Sequence, residues 1–600
     1  MAIQKDNWDI ILSTFTGLKT DKDSDVIPAG FSPNLLNVRV TGSHFVGALG
    51  YELTGTRDNN AGEISSKYTF NRHDGDEVMV RVKDNGTSGT LEWYDATNEE
   101  WYTLLESLTT GKIMGFTEFN TSTTSRMIFC NGVENMSVWT GATTRLTATV
   151  SGSPSSISVV STADFPSSGT IMYNGTEIAY DSKTSTTFVK SSGSFHDSDG
   201  LDDGVAEAVD DSTHSGVTKG NILLSAFDRL WIAGQPSSPS AFDFSDEGAP
   251  FTFTGGATRT DSGTEDVFNI GGRITGISNK EEEIIILGPD GAVGFKFTYP
   301  TSTTKAPVYR EIFHTPGQGC TFQKSVFKIN NEVFFTNKNG VQALGDSEGS
   351  ERIINKSITR IILPTLKNYD FSEASAIYYD KESILLIACK TDPDFSFNDI
   401  VIGLDFYIDE EGNDTYGIVK FDWPVNDWTI LDDELYFGSS AEMNSFKGLS
   451  TNQNDGAPRT IRYATKRFNL GDPFQNKMSR LAAVKGFIKT GTDIDVEILY
   501  NAGFKGTINK TIKSDGVYVS NSTLNSIGAF QMGTNPIGSN KEEVSDLKEF
   551  TVYLDLGSDY DYRDIQMIFS SETDGGNFLI TDIGFTADET GFESEDNLTI

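Results

Sequence analysis

The chain is poor in the residues that staple small folds or bind metals. Its 600 residues include three cysteines, Cys130, Cys320 and Cys389, far apart and without a C-x-x-C pair. That excludes a disulfide framework and a cysteine zinc knot, and marks the thiols as small buried residues of a protein made in a reducing cytoplasm. The five histidines, His44, His73, His196, His214 and His314, stand at no ligand spacing from one another. Apolar runs are short, and none reaches the roughly 18 residues of a membrane span. The opening MAIQKDNWDIILSTF lacks the long apolar core of a signal peptide, so neither ordinary secretion nor an anchor is expected. Positive charge is scarce too: 47 Lys plus Arg stand against 85 Asp plus Glu, a net charge of −38. A field of that sign repels nucleic acid and anionic membrane and favours solubility. Basic patches interleaved with aromatics, the footprint of nucleic-acid binding, do not stand out. Helical periodicity is nearly missing, and the best helix candidate is the short stretch 355–369.

What is present suits many short strands. Hydrophobic residues make up 37% and aromatics 11%, with 40 Phe and 58 Gly. This is enough apolar matter for roughly two to four domains. Apolar–polar alternation on either side of turn residues predicts hairpins. They are placed at DNGTSG (84–89), at Pro289-Asp290-Gly291, at Asn330-Asn331, at Asn339-Gly340 and at Asp380-Lys381. Strand-turn-strand units recur every 40 to 55 residues or so across 218–460, roughly the period of a propeller blade. The fold class expected is all-β, a β-propeller-like core with a small inserted β module and a C-terminal β-sandwich domain. The divisions are an extended arm and anchor strand over 1–55, the first part of the propeller over 56–140, and the Ser/Thr/Gly-rich module over 141–217. The rest of the propeller covers 218–460 and the sandwich 461–600. The arm shows little core of its own and is expected to order on the propeller or on a neighbouring subunit.

Sites of chemistry are harder to find. Ser347 in GDSEG (345–349) matches a hydrolase elbow on paper. That elbow needs a strand-to-helix turn in an α/β sheet, whereas the surroundings here read as antiparallel β. Asp21, Asp23 and Asp25 form D-x-D-x-D without the glycine and distant glutamate of a calcium loop. Asp197, Asp199 and Asp202 lie in an acidic loop that reads as solvated surface. Carboxylate pairs can be drawn anywhere among 85 acids and so argue nothing. Trp423 and Trp428 in FDWPVNDW are candidates for a sugar-stacking face, with propeller packing as the plainer reading. Phosphate loops are absent. No catalytic, cofactor-binding or metal-ligating residue is therefore assigned, no cofactor is expected, and the chain is expected not to be an enzyme.

One set of phrases matches something known. IPAGFSPNLLNVRVTGSHFVGALGY (27–51) resembles the opening of a group of tailed-bacteriophage virion proteins, through Gly30, Ser32, Pro33, Asn37 and Arg39. Its ending, Ala48 to Tyr51, lacks the group's frequent basic residues. DRLWIAGQPSSPSAFDFSDEG, GCTFQKSVFKINNEVFFTNKNGVQAL and NDGAPRTIRYATKRFNLGDPFQNKMSRLAAV resemble three further segments of the same group. Its best-known members are tail nozzle, or hub, proteins of short-tailed phages (the tail tubular protein B-like group). The resemblance implies a structural virion protein made in the host bacterial cytoplasm and carried in the tail. It implies a hexameric ring that extends the tail tube, meets an adaptor and a tail fibre or spike, and passes duplex DNA during ejection without binding it specifically. An acidic lumen would suit that passage. The alternatives are a receptor-binding or host-surface carbohydrate-binding tail protein, and a glycan-depolymerising propeller enzyme.

Overall fold

The computed structural model describes residues 10–589 except 122–123, 174, 198–202, 211–213, 215, 256–260, 268–269, 299–307, 318, 330, 348–349, 409–413, 470–476, 479–480, 501–505, 515–546, 557–563 and 587. Turn chemistry sets its hairpins. Asp84 pairs with Gly89 across the DNGTSG turn, and Gly288 pairs with Gly291 around Pro289-Asp290. Asn337 pairs with Gly340, whose φ of +90° only glycine adopts without strain. At Asp380-Lys381 the chain makes a single 3₁₀ turn, Asp380–Glu382, before reversing. The expected helix over 355–369 is confined to one 3₁₀ turn, Arg360–Ile362, and Leu363–Leu366. The strand Ser350–Ser357 takes its first residues. Among the described residues no helix is long and apolar enough to cross a membrane.

The sheets assemble into a β-propeller. Seven sheets of three or four antiparallel strands follow one another: 63–108, 115–139, 222–266, 276–316, 327–357, 370–421, and 425–448 completed by Tyr51–Thr54. Their inner strands touch in sequence. Glu63–Asn71 meets Gly115–Glu118, which meets Ile222–Ala226, then Gly276–Lys280, and so on round to Val425–Leu431, which returns to Glu63–Asn71. The ring is thus closed. Each blade buries one face on the next, as Phe119, Ile128, Leu230 and Ile232 do between the second and third blades. Cys320 joins Leu287, Val333 and Phe335 in the same way between the fourth and fifth. All three cysteines are buried and free.

Two further bodies attach to the ring. Between 143 and 207 the chain forms two small sheets, of four and three strands, around a core that includes Ile171, Tyr173, Phe188 and Phe195. At the C-terminal end two larger sheets face each other. One holds Leu547–Asp555, Leu481–Lys489 and Phe578–Phe585, and the other Ile461–Ala464, Asp564–Ser571, Asp493–Tyr500 and Gly506–Lys513.

The first 54 residues are where the structure departs from the expected arm. Described from Ile10 onward, they pair within their own chain. Ile10–Leu12 pairs with Phe578–Phe585, Leu35–Leu36 with Ile461–Ala464, and the hairpin Val38–Val40/Phe45–Gly47 extends the first sandwich sheet. Tyr51–Thr54 then becomes the outer strand of the last blade, against Ser445–Gly448. The segment looks core-poor because its short apolar clusters are parted by polar turns and keep no period, yet Phe15, Leu18, Leu35, Val38 and Phe45 are all buried in the core shared by sandwich and blades. Phe45 stacks on Tyr463 with ring centroids 4.0 Å apart.

The residues of 27–51 singled out in the sequence hold this junction together. Ser32 donates to the Ala464 carbonyl at 2.7 Å. Asn37, at φ +51°, donates from its side chain to the Thr460 carbonyl at 2.8 Å and accepts from the Asp422 amide. A Cβ on Gly50 would lie 2.1 Å from the Gln453 carbonyl oxygen, so only glycine fits. Tyr51 sits edge-on to Trp423, Phe437 and Phe446. Arg39 reaches from the hairpin into the sixth blade, with two bonds to Asp405 at 2.7 and 3.0 Å and an ion pair to Glu382. Burial works against the guanidinium charge, but Asp405 and then Glu382 more than offset it and hold the pKa above the ordinary arginine value.

Removing one partner of such a buried pair leaves the other charge uncompensated. Arg39→Ala is expected to cost about 3–5 kcal/mol, read as a lower denaturation midpoint in urea. A loss below about 1 kcal/mol would match an exposed pair instead.

Candidate functional site

A cleft of about 280 Å³ opens where the inserted module meets the ring. It forms because the two necks of the insertion run side by side. Outgoing Ser137–Trp139 and incoming Asp210 are joined by reciprocal backbone bonds, Val138 N–H to Asp210 O at 3.0 Å and Asp210 N–H to Val138 O at 2.9 Å. The Trp139 indole donates to the Glu207 carbonyl at 2.9 Å, and the Glu207 amide to Ala142 at 2.9 Å. These bonds fix the backbone that carries Thr140, Glu207 and Asp210 into the cleft lining. Phe251, from the loop between two strands of the third blade, and Arg126, from the second blade, complete it together with His214. On the module side Arg72 of the first blade pairs with Asp164 at 3.5 Å.

The cleft mixes donors, acceptors and ring faces. His214 stacks on Phe251 with centroids 3.9 Å apart and planes 22° apart, and its Nε2 is 4.0 Å from the Asp210 carboxylate. Burial lowers the His214 pKa against the opposing pull of Asp210, with a smaller push in the same direction from the Arg126 charge. Burial also raises the Glu207 carboxyl, although Thr140 donates a hydrogen bond to it and Arg72 lies near enough to resist. Such a group of tuned and opposed charges in a concavity marks a binding site more readily than a packing accident.

The residues raised from sequence fall elsewhere, His214 excepted. Trp423 and Trp428 are 0% and 5% exposed, packed with Phe437 inside the last blade, so they present no sugar-stacking face. Ser347 lies in the antiparallel strand Gly340–Ser347, paired with Ser350, and not on a strand-to-helix turn. His44 is half-buried beside the Thr41 and Ser43 hydroxyls, and desolvation pushes its pKa down to about 4. His73 bonds to Ser125 at 2.8 Å, and His196 stacks on Tyr173. Asp21, Asp23 and Asp25 occupy a turn, and Asp197 accepts from the Ser153 amide, while Asp199 and Asp202 lie outside the described residues. The cleft itself escaped sequence reading because Arg126, Glu207, Asp210, His214 and Phe251 span 126 positions of chain and form no motif.

A second unusual group sits at the seam of the first and last blades. The Lys67 Nζ is buried with no hydrogen-bond partner, 4.6 Å from the Trp101 ring and 5.9 Å from that of Tyr436. Arg81 lies over the same Trp101 ring at 4.0 Å and pairs with Glu92 at 2.8 Å. The Asp427 carboxylate accepts the Lys67 backbone N–H at 2.9 Å. Burial first, then Arg81, holds the amine well below the ordinary lysine value despite Asp427.

No family model matches the chain, and no curated protein matches it. Among solved structures it is similar to the exo-β-1,3-galactanase of Phanerochaete chrysosporium with galactose, at 11% identity, TM-score 0.22, covering 92% of this chain and 100% of that one. A variant of the same enzyme with β-1,3-galactotriose gives 10%, 0.21, 90% and 100%. These neighbours are enzymes, and the expectation that this chain is not an enzyme is accordingly withdrawn. At such identity and TM-score the likeness transfers neither an activity nor a substrate.

Lys67 yields a test with a definite sign. The native chain binds a proton at Lys67 less readily than the unfolded chain does, so this group weakens the fold below its ordinary pKa and less so as pH rises toward it. Lys67→Met is expected to stabilise the protein by about 1–4 kcal/mol near pH 7, the gain over wild type shrinking toward pH 10. A gain that grows with pH would contradict the assignment.

Proposed function

We propose that this protein is a structural subunit of a tailed-bacteriophage tail, one copy in a ring of the nozzle or hub kind through which duplex DNA leaves the particle. The observation that supports it is the placement of the resemblance. Ser32, Asn37, Arg39 and Tyr51 tie the sandwich to the sixth and seventh blades. Arg229, in the DRLWIAG segment, is fully buried and donates to the Ser245 and Asp261 carbonyls. Arg459, in the NDGAPR segment, is likewise buried and donates to Thr451 and Asn452. Of the residues that carry the resemblance, Ser32, Asn37 and Arg39 thus bind the sandwich to the blades and Arg229 stiffens the third blade from within, which supports a rigid subunit of the kind a ring under DNA pressure needs. The net charge of −38 agrees with a conduit that DNA must pass without adhering. Partners in this reading are five further copies, an adaptor and a tail fibre or spike. The host-surface carbohydrate-binding reading loses Trp423 and Trp428 as its place, since both are buried.

The test is the mass and symmetry of the purified full chain, by light scattering and negative-stain class averages, alongside peptide mapping of purified virions. Six-fold rings, or monomers present at six copies per virion, are the expected result. Stable trimers, or absence from the virion, would overturn it.

A further inference from the structure

The neck cleft has the chemistry of a ligand site whatever the ring symmetry. Arg126 supplies donors only, and the Glu207 and Asp210 carboxylates supply acceptors. The Thr140 hydroxyl has its hydrogen committed to Glu207, which leaves its lone pairs for a ligand. Phe251, backed by the stacked His214 ring, adds an apolar face that is partly open. A small anion would meet two carboxylates. A bare metal ion would meet the guanidinium, and among the described residues no three His, Cys, Asp or Glu side chains are grouped to hold one. An extended peptide or a duplex is too large for about 280 Å³, a volume at the low end of small-molecule sites.

What remains is a compact neutral ring with hydroxyls around its edge and C–H groups on its face. We propose that the cleft between the inserted module and the propeller binds one saccharide residue, its C–H face against Phe251 and its hydroxyls shared between Asp210, Glu207 and Arg126. Hydroxyl hydrogens go to the carboxylates, and ring or hydroxyl oxygens accept from the guanidinium. The geometry explains why the insertion is seated by a stiff double neck, since Val138 and Asp210 bond to each other through both backbones and hold the acceptor wall in register. It also makes the module more than a surface ornament, because Glu207 and Ala208 reach the cleft only at the chain's return from it.

The experiment is saturation-transfer NMR on the full chain with the methyl glycosides of glucose, galactose and N-acetylglucosamine, each at millimolar concentration. Transfer to the protons of one ring face of at least one glycoside is expected. Asp210→Ala and Phe251→Ala should each weaken that binding roughly tenfold, in line with the loss of one charge-assisted hydrogen bond or one ring contact. Asp210 is exposed, so its variant should keep the wild-type melting temperature and remain informative even if Phe251→Ala unfolds. Transfer to none of the three glycosides would overturn the proposal. So would binding that Asp210→Ala leaves unchanged, or displacement of the glycoside by adenosine monophosphate at equal concentration.

Discussion

The pairing of Tyr51–Thr54 with Ser445–Gly448 is the contact on which the rest of the molecule depends. A propeller is a ring of sheets that none can leave without exposing a face, and its weakest point is where first and last blades meet. Here the last blade takes its outer strand from the beginning of the chain, so the ring is closed by residues almost four hundred positions apart. Before reaching that strand the same segment has already supplied strands to both sandwich sheets. Closing the ring and seating the sandwich are therefore one event, and the largest core cluster runs without a break from Phe15 and Phe45 through Phe437 to Phe585.

Charge is handled differently inside and outside this frame. Cations inside the frame are fixed by carboxylates or carbonyls, Arg39 at the sandwich junction by Asp405 and Glu382, and Arg229 within the third blade by Ser245 and Asp261. Lys67 is the exception, an amine set against ring faces and a neighbouring guanidinium, whose burial disfavours its charged form. The module neck follows a third rule. Its carboxylates are half-buried or exposed, opposed by the Arg126 and Arg72 guanidiniums, and line a cleft.

Much of the fold was legible because it is local. The turns at 84–89, 289–291 and 339–340 announce themselves through Asp, Asn and Gly, and each sits where two strands reverse. Burial of the cysteines follows from the apolar runs that carry two of them. The first segment reads as an arm because its apolar residues, in clusters such as Ile10-Ile11-Leu12 and Leu35-Leu36 parted by polar turns, sustain no period; the expected ordering on the propeller holds for Tyr51–Thr54, while the strands before it join the sandwich. Each answers to a different partner element. The cleft was illegible for the same reason, with eight lining residues drawn from the second blade, the module neck and the third blade.

By itself the sequence determined the class of structure: antiparallel β throughout, in units of blade length, with an interrupted segment between 141 and 217 and a strong negative charge. Strand alternation and turn residues act over a few positions, so no distant information is needed to read them. Only the tertiary structure decided that seven sheets among the described residues close into the ring, that residues 10–54 belong to two bodies at once, and that a titratable cleft lies at the module neck. Which edge a strand joins depends on the shape and hydrogen-bonding needs of surfaces made elsewhere in the chain, and those surfaces exist only once the chain has folded.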